Sequence, residues 1–272
     1  MGSSAISLGL GLGGGKSATS SGGSPGGGGV LPNFLSGSFD GTDDFVTMSN
    51  PDDLNFSGDT TISFWVKYTN QASSFNFLID KSTSVGERQY ALYLRNETGG
   101  TKTFSFSTSG GTAVQNNSTG TISVNEWSHV AVVVDSGVTN GTKLYINGSS
   151  ETLGTHTITT NDSAPFQLGK RYDTSFEFGG LMDEVAIFNS ALSATDIASL
   201  RDTSGTSPLP ADISSLSPVG WWRMGDGTGD TDSSGGTPAN TDAIGTVVNQ
   251  GSASSANGTG TNGPTFSNDV PS

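Results

Sequence analysis

Short runs of alternating apolar and polar residues recur along the middle of this chain, separated by clusters of Asn, Gly, Ser and Asp. Thr61-Ile62-Ser63-Phe64-Trp65-Val66-Lys67-Tyr68 puts Ile62, Phe64, Val66 and Tyr68 on one face. Tyr90, Leu92 and Leu94 repeat the pattern, as do Phe104 and Phe106, then Val130, Val132 and Val134, then Leu144 and Ile146. Many strands at this spacing predict a β-sandwich or barrel. A helix is predicted only over 193–201, with Ser193 as N-cap, Asp196 in the first turn, and Ile197 and Leu200 on the buried face.

Composition agrees with a turn-rich all-β chain: 40 of 272 residues are Gly and only 13% are charged. The net charge of −14 argues against binding nucleic acid through its phosphates and is compatible with binding cations. Without cysteine there is neither a disulfide nor a thiolate metal site. No apolar run approaches the roughly 20 residues of a membrane helix. The first residues do not read as a secretory leader, because no basic residue precedes Ile6 and Gly9, Gly11 and Gly13 break the apolar stretch.

Three zones follow. Residues 1–35 form a Gly-rich arm whose sole charged side chain is Lys16. It has too little apolar surface to fold alone. Ile6, Leu8, Leu10 and Leu12 alternate with small residues and are expected to dock on a neighbouring subunit. Residues 36–202 form the folded body. Residues 203–272 carry two strand-like runs, Val219–Met224 and Ile244–Val248, too few for a core of their own.

Several segments together resemble the laminin-G-like, concanavalin A-like jelly-roll family. They are Ser38-Phe39-Asp40-Gly41-Thr42-Asp43-Asp44-Phe45-Val46, Thr61–Val66, Glu126-Trp127-Ser128-His129-Val130-Ala131, Lys143-Leu144-Tyr145-Ile146-Asn147-Gly148, and Gly179–Asn189 with the helix after it. The resemblance implies two packed antiparallel sheets of roughly six or seven strands each. In relatives, a strand like Val219-Gly220-Trp221-Trp222-Arg223-Met224 precedes the Phe-Asp-Gly segment, whereas here it follows the helix. Residues 203–272 are therefore either a relocated part of the same sandwich, a circular permutation, or the start of a truncated second copy. The Gly-rich start, the body and the tail together also resemble jelly-roll proteins of bacterial viruses, marine ones especially. That resemblance implies a non-enzymatic virion surface protein: a capsid decoration protein, head fibre or tail fibre.

Asp183 and Glu184 in the run Gly179–Asn189 raise the question of catalysis. Regular strand geometry puts Asp183 with Leu181, Val185 and Ile187, and Glu184 on the opposite face with Met182, Ala186 and Phe188. A glycosidase needs two carboxylates facing one bond, and the family's Glu-x-Asp-x-x-Glu signature is absent, so no enzyme activity is expected. Asp40, Asp43, Asp44 and Asp183 are expected to offer oxygen ligands to calcium, an ion related jelly rolls often carry. The alternative is that Asp40 and Asp183 cap turns and bind backbone N–H groups. Trp65, Tyr93 and Tyr145 point away from the inward set and are the candidate glycan contacts; the competing expectation is that other segments cover them. Gly9–Gly14 and Gly15-Lys16-Ser17 mimic nucleotide motifs without the strand and helix those motifs need. Neither His129 nor His156 suggests a triad. The expected partners are other virion proteins, further copies of this chain in a homo-oligomer, and host surface glycans, at the virion surface. A calcium-assisted carbohydrate-binding adhesin, viral or bacterial extracellular, is the alternative.

Overall fold

The computed structural model describes residues 31–48, 52–69, 74–96, 101–109, 114–161, 163–173, 175–205, 207–253 and 255–272. Ile6, Leu8, Leu10, Leu12 and the two Gly-rich motifs lie outside the described residues.

Among the described residues, nineteen strands and one α-helix follow in order. They are β1 Ser36–Asp40, β2 Phe45–Met48, β3 Thr60–Tyr68, β4 Phe75–Ser84, β5 Glu87–Asn96, β6 Lys102–Thr108 and β7 Val114–Ile122. Next come β8 Ser128–Val134, β9 Thr142–Ile146, β10 Ser149–Gly154, β11 Phe166–Leu168, β12 Gly179–Phe188 and α1 Ala194–Ser199. The remainder are β13 Arg201–Asp202, β14 Leu209–Pro210, β15 Gly220–Trp222, β16 Thr231–Asp232, β17 Ile244–Val247, β18 Gly258–Thr261 and β19 Thr265–Ser267.

One sheet has eight strands in the order β10-β9-β8-β3-β12-β1-β19, with β15 also paired to β12. The other has nine, in the order β16-β17-β18-β2-β11-β4-β5-β6-β7. Apolar side chains of the two facing surfaces form the main core. It contains the alternating sets Ile62/Phe64/Val66/Tyr68, Tyr90/Leu92/Leu94, Phe104/Phe106 and Val130/Val132/Val134. The sheets are wider than six or seven strands because residues 203–272 join both. β15 and β19 extend the first sheet, and β16, β17 and β18 extend the second through β2. Trp222, Met224, Ile244, Val247 and Phe266 bury their side chains in the shared core.

A second apolar cluster covers the outer face of the first sheet. Ala131, Val133, Tyr145, Ala186 and Phe188 of the sheet meet Ile197, Leu200, Ile213 and Trp221 from α1 and the chain after it. α1 has the expected capping box, in which the Ser193 side chain accepts from the Asp196 N–H and the Asp196 carboxylate accepts from the Ser193 N–H. The expected arm is shorter than 1–35 on its inner side: Leu31 packs on this second cluster and Leu35 is buried in the main core.

Candidate functional site

β12 is not a regular strand. Asp183 pairs with Trp65 and Ala186 with Ser63, so Glu184 and Val185 together oppose Phe64. This is a β-bulge, and Glu184 adopts φ 48° within it. The extra residue inverts side-chain parity: Met182 before the bulge and Val185 and Ile187 after it all enter the main core. The expected separation of the two acids onto opposite faces is therefore wrong. Both lie on the outer side, close enough for Glu184 to raise the pKa of Asp183 by repulsion.

The pair is nevertheless sealed. Asp183 is fully buried; its Oδ2 accepts from Asn33 Nδ2 at 2.8 Å and its Oδ1 from the Glu184 N–H at 2.7 Å. Glu184 Oε1 accepts from Arg223 Nε at 2.9 Å and Oε2 from Trp221 Nε1 at 2.6 Å. Burial pushes both carboxyls above the usual range, with Asp226 adding repulsion and Arg223 opposing the rise at Glu184. Two acids with every oxygen engaged and no opening to a substrate cannot share acid and base roles across a glycosidic bond.

The expected four-residue cation set divides. Asp40, Asp43 and Asp44 bring carboxylate oxygens within 4.8 Å of one another, whereas Asp183 is tied to Asn33 instead. Asp40 Oδ1 accepts from the Thr42 N–H at 2.7 Å and Asp44 Oδ2 from the Asp40 N–H at 2.9 Å, so each keeps one oxygen free of those bonds. Burial, then the charges of Asp40 and Asp43, push the Asp44 carboxyl up. A divalent cation here would relieve that repulsion, so the donor set fits calcium chemically.

The three proposed glycan-contact rings are covered, as the competing expectation held. Trp65 is 4% exposed and meets His129 edge-on at 5.3 Å. Tyr145 lies in the cluster beneath α1. Tyr93 stacks on Phe77 at 4.4 Å on the outer face of the second sheet, with Phe75 and Phe176 packed against them. His129 is equally enclosed: Ser63 Oγ lies 2.9 Å from its Nε2, and burial, with Arg201 nearby, pushes its pKa down to about 3. The adjoining cavity of about 10 Å³, also lined by Glu184 and Leu200, holds a single water at most. A Ser–His contact there has no room for a substrate.

An open polar pocket of about 500 Å³ lies elsewhere, at the end of the sandwich where β4 turns into β5. Its walls include Glu87, Arg88 and Gln89 of β5, Ser109 after β6, and Thr159, Thr160, Asn161 and Ser163 before β11. Asn161 pins the wall: its side-chain amide donates to the Glu87 carbonyl at 2.6 Å, its N–H donates to Asn55 Oδ1 at 2.8 Å, and its carbonyl accepts from Lys81 Nζ at 3.2 Å. Arg88 Nη1 donates to Ser107 Oγ at 2.9 Å, and Arg88 Nε lies 3.8 Å from Asp80 Oδ1. Burial pushes Asp80 up to about 6, although the Ser82 hydroxyl, Arg88 and the Tyr172 N–H oppose the rise. The volume suits a small ligand. The lining offers hydroxyls, amides, a carboxylate and a guanidinium without an aromatic ring. Sequence reasoning missed this pocket, because its residues come from three segments separated by about 20 to 50 positions and match no motif.

Two antiparallel sheets packed face to face define a jelly-roll sandwich. The family model described as the concanavalin A-like lectin/glucanases superfamily matches residues 40–198, and the chain belongs to that family. Among solved structures it is similar to a candidate carbohydrate-binding protein from Bacteroides ovatus, at 19% identity and TM-score 0.59, over 89% of this chain and 62% of that one. It is also similar to the heptameric SAP-like pentraxin of Limulus polyphemus, at 18% identity and TM-score 0.50, over 64% of this chain and 84% of that one. A third is the NanB sialidase of Streptococcus pneumoniae, at 17% identity and TM-score 0.50, over 64% of this chain but 28% of the sialidase. At these identities the likeness is one of fold. No curated protein sequence matches the chain. Among the described residues no helix is long and apolar enough to cross a membrane.

Proposed function

We propose that this protein is a carbohydrate-binding domain of the adhesin type that acts by binding and not by catalysis. The observation that carries this reading is the open 500 Å³ pocket, whose polar lining pairs donors and acceptors as a polyhydroxylated ligand requires. The sealing of Asp183 and Glu184 supports a non-enzymatic role. Glycan-array binding by the full chain tests it. Thr160→Tyr, which fills the pocket from an exposed position, and Glu87→Ala, which removes an acceptor, are each expected to weaken binding about tenfold or more. Binding that survives both substitutions places the glycan elsewhere, and no binding to any glycan ends the reading.

Calcium is the proposed companion, held by Asp40, Asp43 and Asp44 at the opposite end of β1 from the sealed acidic pair. Saturating calcium is expected to raise the midpoint of thermal unfolding. At a hundredfold excess over the dissociation constant the gain is about 2.7 kcal/mol. Chelation should reverse it, and Asp43→Asn should abolish it. An unchanged midpoint removes calcium from the account.

A second reading places this domain on a virion surface, held to capsid or tail proteins through residues 1–35. Its specific support is that residues 31–35 are fastened to the sandwich, so the chain preceding them has a fixed root. The two readings are compatible, because a surface fibre or decoration protein is a natural carrier for a glycan-binding domain, including one assembled from several copies. If the protein without residues 1–30 still enters particles at the normal level, arm anchoring is wrong.

A further inference from the structure

One side of β12 is occupied by β3 along its whole length. The other side is shared: β1 pairs with Gly179–Met182 and β15 with Val185–Ile187. Both run antiparallel to β12, so the end of β15 at Trp222 points at the beginning of β1 at Ser36. Together they fill a single strand position with pieces from distant parts of the chain. Asp183 and Glu184, at the start of the bulge, lie opposite the break.

No peptide bond crosses this break, but side chains do. Arg223 Nη2 donates to the Pro32 carbonyl at 2.7 Å. Asp226 Oδ2 accepts from the N–H groups of Phe34 and Leu35 at 2.7 and 3.1 Å. Asn33 Nδ2 donates to Asp183 Oδ2 at 2.8 Å, and Glu184 ties Arg223 and Trp221 to the bulge. Residues 31–35 precede the first strand and have no ladder of their own, so these bonds and the packing of Leu31 and Leu35 are what hold them. Arg223 also donates to the Asp226 carbonyl at 3.2 Å, which closes the turn on itself.

We propose that this junction is a latch between the segment before β1 and the turn after β15. In it, residues 32–35 leave the sandwich only as the Arg223–Asp226 turn opens, and the turn loosens when residues 32–35 are drawn away. The grouping explains why opening is concerted. The bonds form one connected set, in which Arg223 bridges Glu184 and the Pro32 carbonyl while Asp226, on the same turn, holds the Phe34 and Leu35 N–H groups, so the loss of one member loosens its neighbours. The coupling is reciprocal, as any linkage between two bound elements must be. A load applied to residues 1–30 therefore reaches the Arg223–Asp226 turn before it reaches the ladder between β1 and β12.

Limited chymotrypsin digestion of the full chain, read together with hydrogen exchange, tests the latch. The Phe34 side chain is 67% exposed while its backbone N–H is bound, so cleavage after Phe34 reports release of this segment. Asp226→Ala is expected to speed that cleavage about tenfold with the near-ultraviolet circular dichroism unchanged. Asn33→Ala, on the other side of the break, is expected to speed exchange of the Asp226 N–H, which bonds to the Arg223 carbonyl and not to residue 33. Equal cleavage in the wild type and Asp226→Ala overturns the proposal. So does faster cleavage in Asp226→Ala with unaltered Asp226 exchange in Asn33→Ala, because the segment and the turn would then be held independently. Should Asp226→Ala lose its tertiary signal, Asp226→Asn, which keeps one acceptor oxygen, decides by the same cleavage criterion.

Discussion

Trp222→Ala is expected to lower the free energy of unfolding by about 3–5 kcal/mol, as large-to-small substitutions of buried aromatic residues do. Trp222 is fully buried and stacks on Phe166 of the second sheet, with ring centroids 5.3 Å apart and planes at 24°. Its Nε1 donates to the Ala256 carbonyl at 2.7 Å. Substitution thus opens a cavity between the sheets and orphans a buried carbonyl. It also removes a tie between β15 and the loop that leads into β18. Trp222→Phe would keep part of the stacking and lose the hydrogen bond and part of the ring volume, at a smaller cost of about 1–3 kcal/mol. Urea unfolding followed by circular dichroism measures both. A cost below about 1 kcal/mol for Trp222→Ala would mean that the C-terminal segment is an accessory layer. In that case the chain without residues 205–272 should fold with unchanged stability. The expected outcome is that the truncated chain does not fold, because it loses β14 to β19 and uncovers Phe166 and the edge of β2.

The second large effect is at Arg223. Arg223→Met keeps the aliphatic stem and removes the cation paired with Glu184. Leaving a buried carboxylate without its partner costs about 3–5 kcal/mol at neutral pH. The cost should shrink as pH falls, and the sign follows from the proton balance. Burial raises the folded pKa of Glu184 above its unfolded value. The folded state then binds more protons than the unfolded state between those two values, so stability increases as pH falls through the folded pKa toward about 4.3. Arg223→Met removes the group that opposed this rise, so the variant gains more from acidification than the wild type does. Unfolding curves at pH 7.5 and pH 5 should show the difference between the two proteins narrowing. A difference independent of pH would mean that Arg223 contributes through packing alone. The double variant Glu184→Gln/Arg223→Met should recover part of the loss, since the carboxylate that Arg223 neutralised is then gone.

The β-sandwich was legible because its inward residues are apolar at period two over long stretches, as in Ile62–Tyr68 and Val130–Val134. The helix was legible because Ser193 and Asp196 satisfy the first-turn N–H groups by local bonds that need no tertiary context. The failure at Asp183 and Glu184 has an equally specific reason. Strand alternation assumes a regular ladder, and a single bulge residue with φ 48° reverses the parity of everything after it. Nothing in Met182-Asp183-Glu184-Val185 announces that bulge. It coincides with the place where β1 ends and β15 takes over beside β12, a feature of the whole sheet.

The candidate sites divide in the same way. The convergence of Asp40, Asp43 and Asp44 is local, within one loop, and could be read directly. The inclusion of Asp183 required knowing which distant segment faces it, and Asn33 does. Trp65 and Tyr145 were correctly placed outside the main core, but only the fold shows that α1 and the segment after it bury that outer face. The polar pocket is assembled from β5, the end of β6 and the loop before β11, so it has no sequence signature.

By itself the sequence determined the fold class, the inward faces of the main strands, the capped helix and the acidic loop, because each depends on contacts between near neighbours or on strict periodicity. Only the tertiary structure decided that β1 and β15 share one strand position, that the acidic pair is sealed beneath Arg223 and Trp221, and that the open pocket lies where β4 turns into β5. Those outcomes depend on which remote segments meet. That is settled by the summed burial and hydrogen bonding of whole sheets, which no local pattern encodes.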